Sequence, residues 1–172
     1  MKKIILTYGL SAGIISILGY VFTTATGEKD MTLSMIYGYT SMILGFSLIF
    51  VAVKKYRDTT ASGSITFGKA FLIGLYISLI ASVIYVSVWL YYFYNHFPDF
   101  AEKYSVQMLE QMRKAGESAA AIEKKRVEMA EFSENYKNPF FNAMVTSTEI
   151  LPIGIIISLI AAAILKRKPQ NI

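Results

Sequence analysis

The stretch from Phe67 to Asn95, FGKAFLIGLYISLIASVIYVSVWLYYFYN, carries a single charge, Lys69. It runs for about 29 residues, against the roughly 20 that carry a helix across a 30 Å hydrocarbon core. Three further runs share its character. Ile4 to Ala25 and Thr32 to Val53 hold no charge at all, and Phe140 to Leu165 holds only Glu149. A transmembrane strand needs about half that length and alternates in polarity, which none of these runs does. Backbone amides in lipid must be satisfied within their own segment, so each run reads as a helix. A buried helix of a soluble bundle would show a polar face, and here the runs are apolar all round. The expected fold class is all-α, a membrane protein with four transmembrane helices (4–25, 32–53, 67–95 and 140–165) in one membrane domain spanning 1–172.

Composition agrees with that reading. Of 172 residues 54% are hydrophobic and 17% charged, where a soluble chain averages about 25% charged. Mean hydropathy is +0.44, and so apolar a chain buries enough surface to offset its ordering entropy. Cysteine is absent, which excludes disulfides, thiolate metal sites and a cysteine nucleophile.

Three connections separate the runs. Gly27-Glu28-Lys29-Asp30 is a short polar turn. Lys54 to Thr66 has loop composition, with Thr59-Thr60-Ala61-Ser62-Gly63-Ser64 at its centre. The third, residues 96–138, is rich in alanine, glutamate, lysine and methionine, all good helix formers. Pro98-Asp99 marks a helix start and Gly116 divides the stretch in two. Phe100, Tyr104, Met108 and Met112 recur every fourth residue, and Ile122, Met129 and Tyr136 every seventh. The expectation is a helical hairpin outside the bilayer, closed by Asn138-Pro139.

The basic residues set the orientation. Lys2 and Lys3 precede the first span, Lys54, Lys55 and Arg57 follow the second, and Lys166, Arg167 and Lys168 follow the fourth. Those clusters share one side, which the positive-inside rule makes cytoplasmic, with both termini inside and the hairpin outside. The excess of +5 therefore meets lipid headgroups, the expected partners at that face. Nucleic acid is excluded for want of a basic helix or an aromatic-basic platform. The first run starts like a signal peptide, but its apolar region exceeds the usual 7–15 residues. Small residues around Thr24-Ala25-Thr26 leave cleavage open, which would leave three spans in the same orientation.

Lipid gives apolar helices no hydrophobic reason to associate, so small residues that allow close approach matter. Gly9, Gly13, Ser16 and Gly19 form a row on the first span and Gly38, Ser41 and Gly45 on the second. Gly74, Ser78 and Ser82 do so on the third, and Gly154, Ser158 and Ala162 on the fourth. The rows favour packing within one chain over a dimer. Trp89, Tyr91, Tyr92, Phe93 and Tyr94, with Tyr20, Phe22, Tyr37 and Tyr39, read as an aromatic belt at the outer interface.

Chemistry-bearing residues are sparse. His96 is the only histidine, and Asp99 alone lies near it, so it reads as solvated. Glu149, preceded by Thr146-Ser147-Thr148 and followed by Pro152, is the most interesting ionisable residue. It lies about two turns inside the span if that begins at Phe140, or marks the interface if the span begins at Ile150. Arg57, Asp58 and Lys69 flank the entry of the third span, where Thr66 or Ser64 is placed to cap the helix and Asp58 to pair with Lys69. No phosphate loop, zinc-protease motif or nucleophile elbow is present, so no catalytic, cofactor-binding or metal site is expected.

The chain resembles the DUF4199 family, small integral membrane proteins of unknown function found mainly in Bacteroidota. The resemblance rests on Tyr56-Arg57-Asp58, Gly63-Ser64-Ile65-Thr66-Phe67-Gly68-Lys69-Ala70-Phe71, Ile73-Gly74 and Ser78-Leu79-Ile80. It continues in Pro98-Asp99-Phe100 and in the closing run from Ile157 to Lys166. It implies a bacterial inner membrane and a periplasmic hairpin, and brings no activity. The leading expectation is a non-enzymatic protein whose hairpin, residues 98–137, contacts a partner or another copy. The alternative is a small transporter or ion-conducting oligomer that uses Glu149.

Overall fold

The structure is a computed structural model that describes residues 1–26 and 30–168. Among the described residues it holds six helices: α1 (Lys2–Thr26), α2 (Met31–Thr59), α3 (Phe67–His96), α4 (Phe100–Lys114), α5 (Ala119–Tyr136) and α6 (Pro139–Leu165). Four of them, α1, α2, α3 and α6, are long and apolar enough to cross a membrane, and the chain is a multi-pass membrane protein. The expected turn residues Gly27, Glu28 and Lys29 lie outside the described residues, while Asp30 caps α2. Its carboxylate accepts from the amides of Thr32 at 2.8 Å and Leu33 at 3.2 Å, satisfying two of the helix's orphan donors.

The chain divides into two compact units, Met1–Val86 with Ser147–Ile172, and Ser87–Thr146. The first is a helical bundle. Pairing runs antiparallel between α1 and α2, because Gly19 sits against Tyr37 and Ser41 while Gly45 sits against Ala12 and Ser16. Gly9 and Gly13 bring α1 onto Ile80, Ala81 and Ile84 of α3. The α3–α6 crossing is reciprocal. A Cβ on Gly74 would lie 2.6 Å from Ser158 Oγ, and one on Gly154 would lie 2.5 Å from Ser78 Oγ. Each serine folds its hydroxyl back onto a carbonyl one turn earlier, Ser78 onto Gly74 at 2.9 Å and Ser158 onto Gly154 at 2.6 Å. That arrangement leaves no hydroxyl proton unpaired at an apolar crossing. Phe46, Ile49, Ile73, Ile77 and Ile150 fill the space between the helices.

Several expectations need correction. α2 does not end at Val53: it continues through Lys54-Lys55-Tyr56-Arg57-Asp58 to Thr59. No glycine or proline interrupts those residues, and the chain turns only at Ser62 and Gly63, both at positive φ. Gly38 meets open space within 4 Å, so its place in the small-residue row carries no helix contact. A four-residue spacing names a face without naming what lies opposite it.

The second unit holds the hairpin. α4 stops where Gly116 takes φ +75, a left-handed cap that L side chains disfavour. Ser118 then caps α5 by accepting from the Ala121 amide at 3.2 Å. Asn138 accepts from Phe140 at 2.9 Å and Phe141 at 3.3 Å at the start of α6, with Pro139 at the first helical position.

Opposite responses are expected at two glycines. Gly154→Val drives methyls into Ser78 and lowers bundle stability by about 1–3 kcal/mol. Gly38→Ala meets nothing and raises helix stability by up to about 1 kcal/mol. Thermal unfolding in a single detergent compares the two, and equal shifts would contradict the packing described.

Candidate functional site

Three places in the fold concentrate polar side chains, and each lies within one unit. The first is the junction at the basic end of the bundle. Arg57, near the C-terminus of α2, aligns its guanidinium with Asp58, Nε to Oδ1 at 2.7 Å and Nη2 to Oδ2 at 3.3 Å. Its Nη1 donates to the carbonyl of Leu165 at 3.4 Å, the last residue of α6. A cation there meets the negative end of the helix dipole and an otherwise orphaned carbonyl. Two residues further on, Arg167 and Ile65 exchange both backbone hydrogen bonds at 2.9 Å. This is the one isolated bridge among the described residues, and Ile65 is buried within it. Thr66 caps α3, its hydroxyl accepting from the Lys69 amide at 3.3 Å. The expected Asp58–Lys69 pair does not form: Asp58 pairs with Arg57, its sequence neighbour and the nearer cation, and Lys69 is exposed. Lys55 lies 5.8 Å from the ring centre of Tyr8, joining α2 to α1 by a cation–π contact.

The second place is Glu149. Its side chain is exposed on α6, as are Thr148 and Pro152, while Ile150 beside it is fully buried. Glu149 lies inside α6 (Pro139–Leu165), in the unit that takes up this helix from Ser147 onward. His96 is likewise exposed, its ring 5.2 Å from that of Tyr92.

The third place was not anticipated. In the unit Ser87–Thr146 the indole of Trp89 donates to Tyr136 Oη and to Asn142 Oδ1, both at 3.0 Å. Asn142, fully buried, sends its Nδ2 toward the Tyr136 carbonyl at 3.4 Å. Thr146 donates to the Asn142 carbonyl at 2.8 Å. Around this network pack Phe93, Phe100, Phe132 and Phe141, with the rings of Trp89 and Phe100 edge-on at 4.9 Å. Trp89 and Phe93 thus pack into this cluster. They seat the hairpin, while Tyr91 and Tyr94 remain exposed at 61% and 42%. Between α4 and α5, Ser133 donates to the Ala101 carbonyl at 3.2 Å and Ser105 faces Ser133 at 3.4 Å. The aromatic stripes marked the apolar sides of the hairpin, but its serine contacts had no sequence signal beyond two small residues.

On the hairpin surface, charges pair within their own helices: Asp99 with Lys103 at 2.6 Å, Glu123 with Arg126 at 2.7 Å and Glu134 with Lys137 at 2.6 Å. The Lys103 ammonium holds the Asp99 carboxyl below its ordinary range, and Arg126 does the same for Glu123. Glu134 raises Lys137. Among the described residues no group of three or more His, Cys, Asp or Glu side chains gathers as a metal site.

The family described as "Protein of unknown function (DUF4199)" matches residues 7–167, nearly the whole chain, and the chain belongs to it. No curated protein and no solved structure matches. Arg57, Ile65 and Thr66, all within the matched range, build the junction that ties α2, α3 and α6.

Two outcomes are expected. Asn142→Leu removes an acceptor from the indole and destabilises the hairpin unit by about 1–3 kcal/mol. Trp89 is the only tryptophan, so its fluorescence reads that unit alone, and an unchanged denaturation midpoint would contradict the network. The lowered carboxyls of Asp99 and Glu123 add stability above the ordinary carboxylate range and lose it as pH falls through their folded values. Acidification below about pH 4 is therefore expected to loosen the hairpin slightly, read by the same emission.

Proposed function

We propose that this member of the DUF4199 family is a non-enzymatic protein of a bacterial inner membrane that offers its α4–α5 hairpin as a contact surface. Both termini are cytoplasmic, the hairpin is periplasmic, and its partner is another protein or a second copy, engaged through residues 98–137. The observation that carries this reading is the Trp89–Asn142–Tyr136 network, which ties the helices of a charge-balanced hairpin unit together. A pre-organised surface loses less entropy on binding than a mobile one. Val106 and Val127, exposed at 54% and 56%, give that surface apolar contact points among its ion pairs.

Helix lengths support the placement. From the basic end, Phe67 to Val86 and Ser147 to Leu165 each run about 20 residues, roughly 30 Å at 1.5 Å per residue. The hairpin unit starts on both helices where that length ends. The basic clusters lie at the opposite ends of these segments, as the positive-inside rule requires of a cytoplasmic face. A second reading, a small transporter or ion-conducting oligomer, draws on the exposed Glu149 carboxylate beside Pro152. Flux through reconstituted vesicles that Glu149→Gln abolishes would favour it; absence of flux would retire it.

Because cysteine is absent, single cysteines report topology cleanly. In intact spheroplasts an impermeant maleimide is expected to label Glu117→Cys and to spare Thr60→Cys; the reverse pattern would overturn the orientation. Deleting residues 100–136 is expected to abolish the protein's in-cell crosslinks, and crosslinks that survive unchanged would refute the contact role.

A further inference from the structure

The four apolar runs hold two charges between them, Lys69 and Glu149. Lys69 is the third residue of α3. Gly74 meets Ser158 and Gly154 meets Ser78, so α3 and α6 run antiparallel and Lys69 lies level with the Leu165 end of α6. Glu149 precedes Leu165 by about 16 residues, roughly 24 Å at 1.5 Å per residue. It therefore stands within the roughly 30 Å that a hydrocarbon core spans from that end. Here α6 presents two faces. Ile150, Gly154, Ser158 and Ala161 are buried. Glu149, Pro152, Ile156, Ile160 and Ala163 follow one another at three- and four-residue spacing along the other side, and all five are exposed. Among the described residues Glu149 makes no ion pair or hydrogen bond.

An acid within a span ordinarily turns inward, to a partner on a neighbouring helix or to water in a cavity, because a lone carboxylate is costly against lipid. Glu149 instead turns outward, onto a stripe that is otherwise apolar. We propose that this stripe of α6 docks a transmembrane helix of another membrane protein, one that carries a lysine or arginine within its own span, and that Glu149 pairs with that cation. Charge complementarity chooses the occupant. A lipid tail offers no counter-charge. The spans of a second copy, in the same orientation, bring no cation to that depth, because Lys69 lies at the other end. An ion pair formed there is weakly screened by solvent and salt. Ile156 and Ile160, exposed at 55% and 45%, supply the packing surface that joins helices in lipid. The inference rests on the reading of the chain as a membrane protein, but neither on the hairpin as a contact surface nor on which face is cytoplasmic.

The test places a photo-crosslinking amino acid at Ile156 of the full-length protein in cells of its native host and identifies the adducts by mass spectrometry. The expected adduct is a protein with a basic residue inside an apolar span of about 20 residues. Its yield should fall about tenfold or more in Glu149→Gln. Glu149→Lys should abolish the adduct, and replacing the partner's basic residue by glutamate should restore it, which also shows that the variant folds. A yield that Glu149→Gln leaves unchanged would overturn the proposal. So would a partner with no basic residue in its span, or adducts with lipid or a second copy alone. Lys29→Gln is expected to leave the yield unaltered; a loss equal to that of Glu149→Gln would assign the counter-charge to this chain and overturn the partner. Absence of the protein from the membrane fraction would instead refute the membrane reading.

Discussion

A peptide group in hydrocarbon has no water to bond, and an unpaired N–H or C=O there costs several kcal/mol. That constraint accounts for most of the molecule. It makes each long apolar run a helix and leaves the helix ends, with the bond that Pro152 cannot make inside α6, as the places where backbone groups need outside partners. Asp30, Thr66 and Asn138 satisfy amides at three helix starts, and Arg57 reaches the last carbonyl of α6. At the α3–α6 crossing Ser78 and Ser158 bond to their own helices, whereas the Ser16 hydroxyl opposite Gly45 and the Ser82 hydroxyl are buried without a hydrogen-bond partner among the described residues.

The hairpin unit obeys different rules. Its helices are polar on the outside, paired by local ions, and its interior is aromatic with one buried amide, Asn142. Edge-on ring pairs in such an interior add specific contacts to the area they bury. The change in character falls on α3 and α6 at Ser87 and Thr146. α3 extends for 30 residues, and its end in this unit, from Trp89 to Tyr94, is largely aromatic.

The spans, the hairpin and its break at Gly116 are legible in the sequence because each follows from a one-dimensional signal: run length, periodicity or a single glycine. Gly74 and Gly154 show their small-residue spacing, yet so does Gly38, and only the packed structure shows that it faces open space. Trp89 and Phe93 read as belt residues in the sequence, and composition alone does not show that they pack on Phe100, Tyr136 and Phe141. The bonds from Trp89 to Tyr136 and Asn142 span 47 and 53 residues of sequence, and no local pattern encodes them. Arg57 and Asp58 were visible as charged neighbours, but the carbonyl that Arg57 serves lies 108 residues away.

The account depends on lipid solvating the outward surfaces of α1, α2, α3 and α6. Ile14 and Ile156 are exposed at 59% and 55% near the middles of α1 and the bundle segment of α6. Spin labels on Ile14→Cys, Ile156→Cys and Glu117→Cys in reconstituted vesicles test this directly through collisions with oxygen and with a water-soluble nickel chelate. The account predicts that oxygen dominates at the first two sites and the chelate at the third. Chelate collisions at Ile14 and Ile156 as frequent as at Glu117 would place those surfaces in water and contradict it.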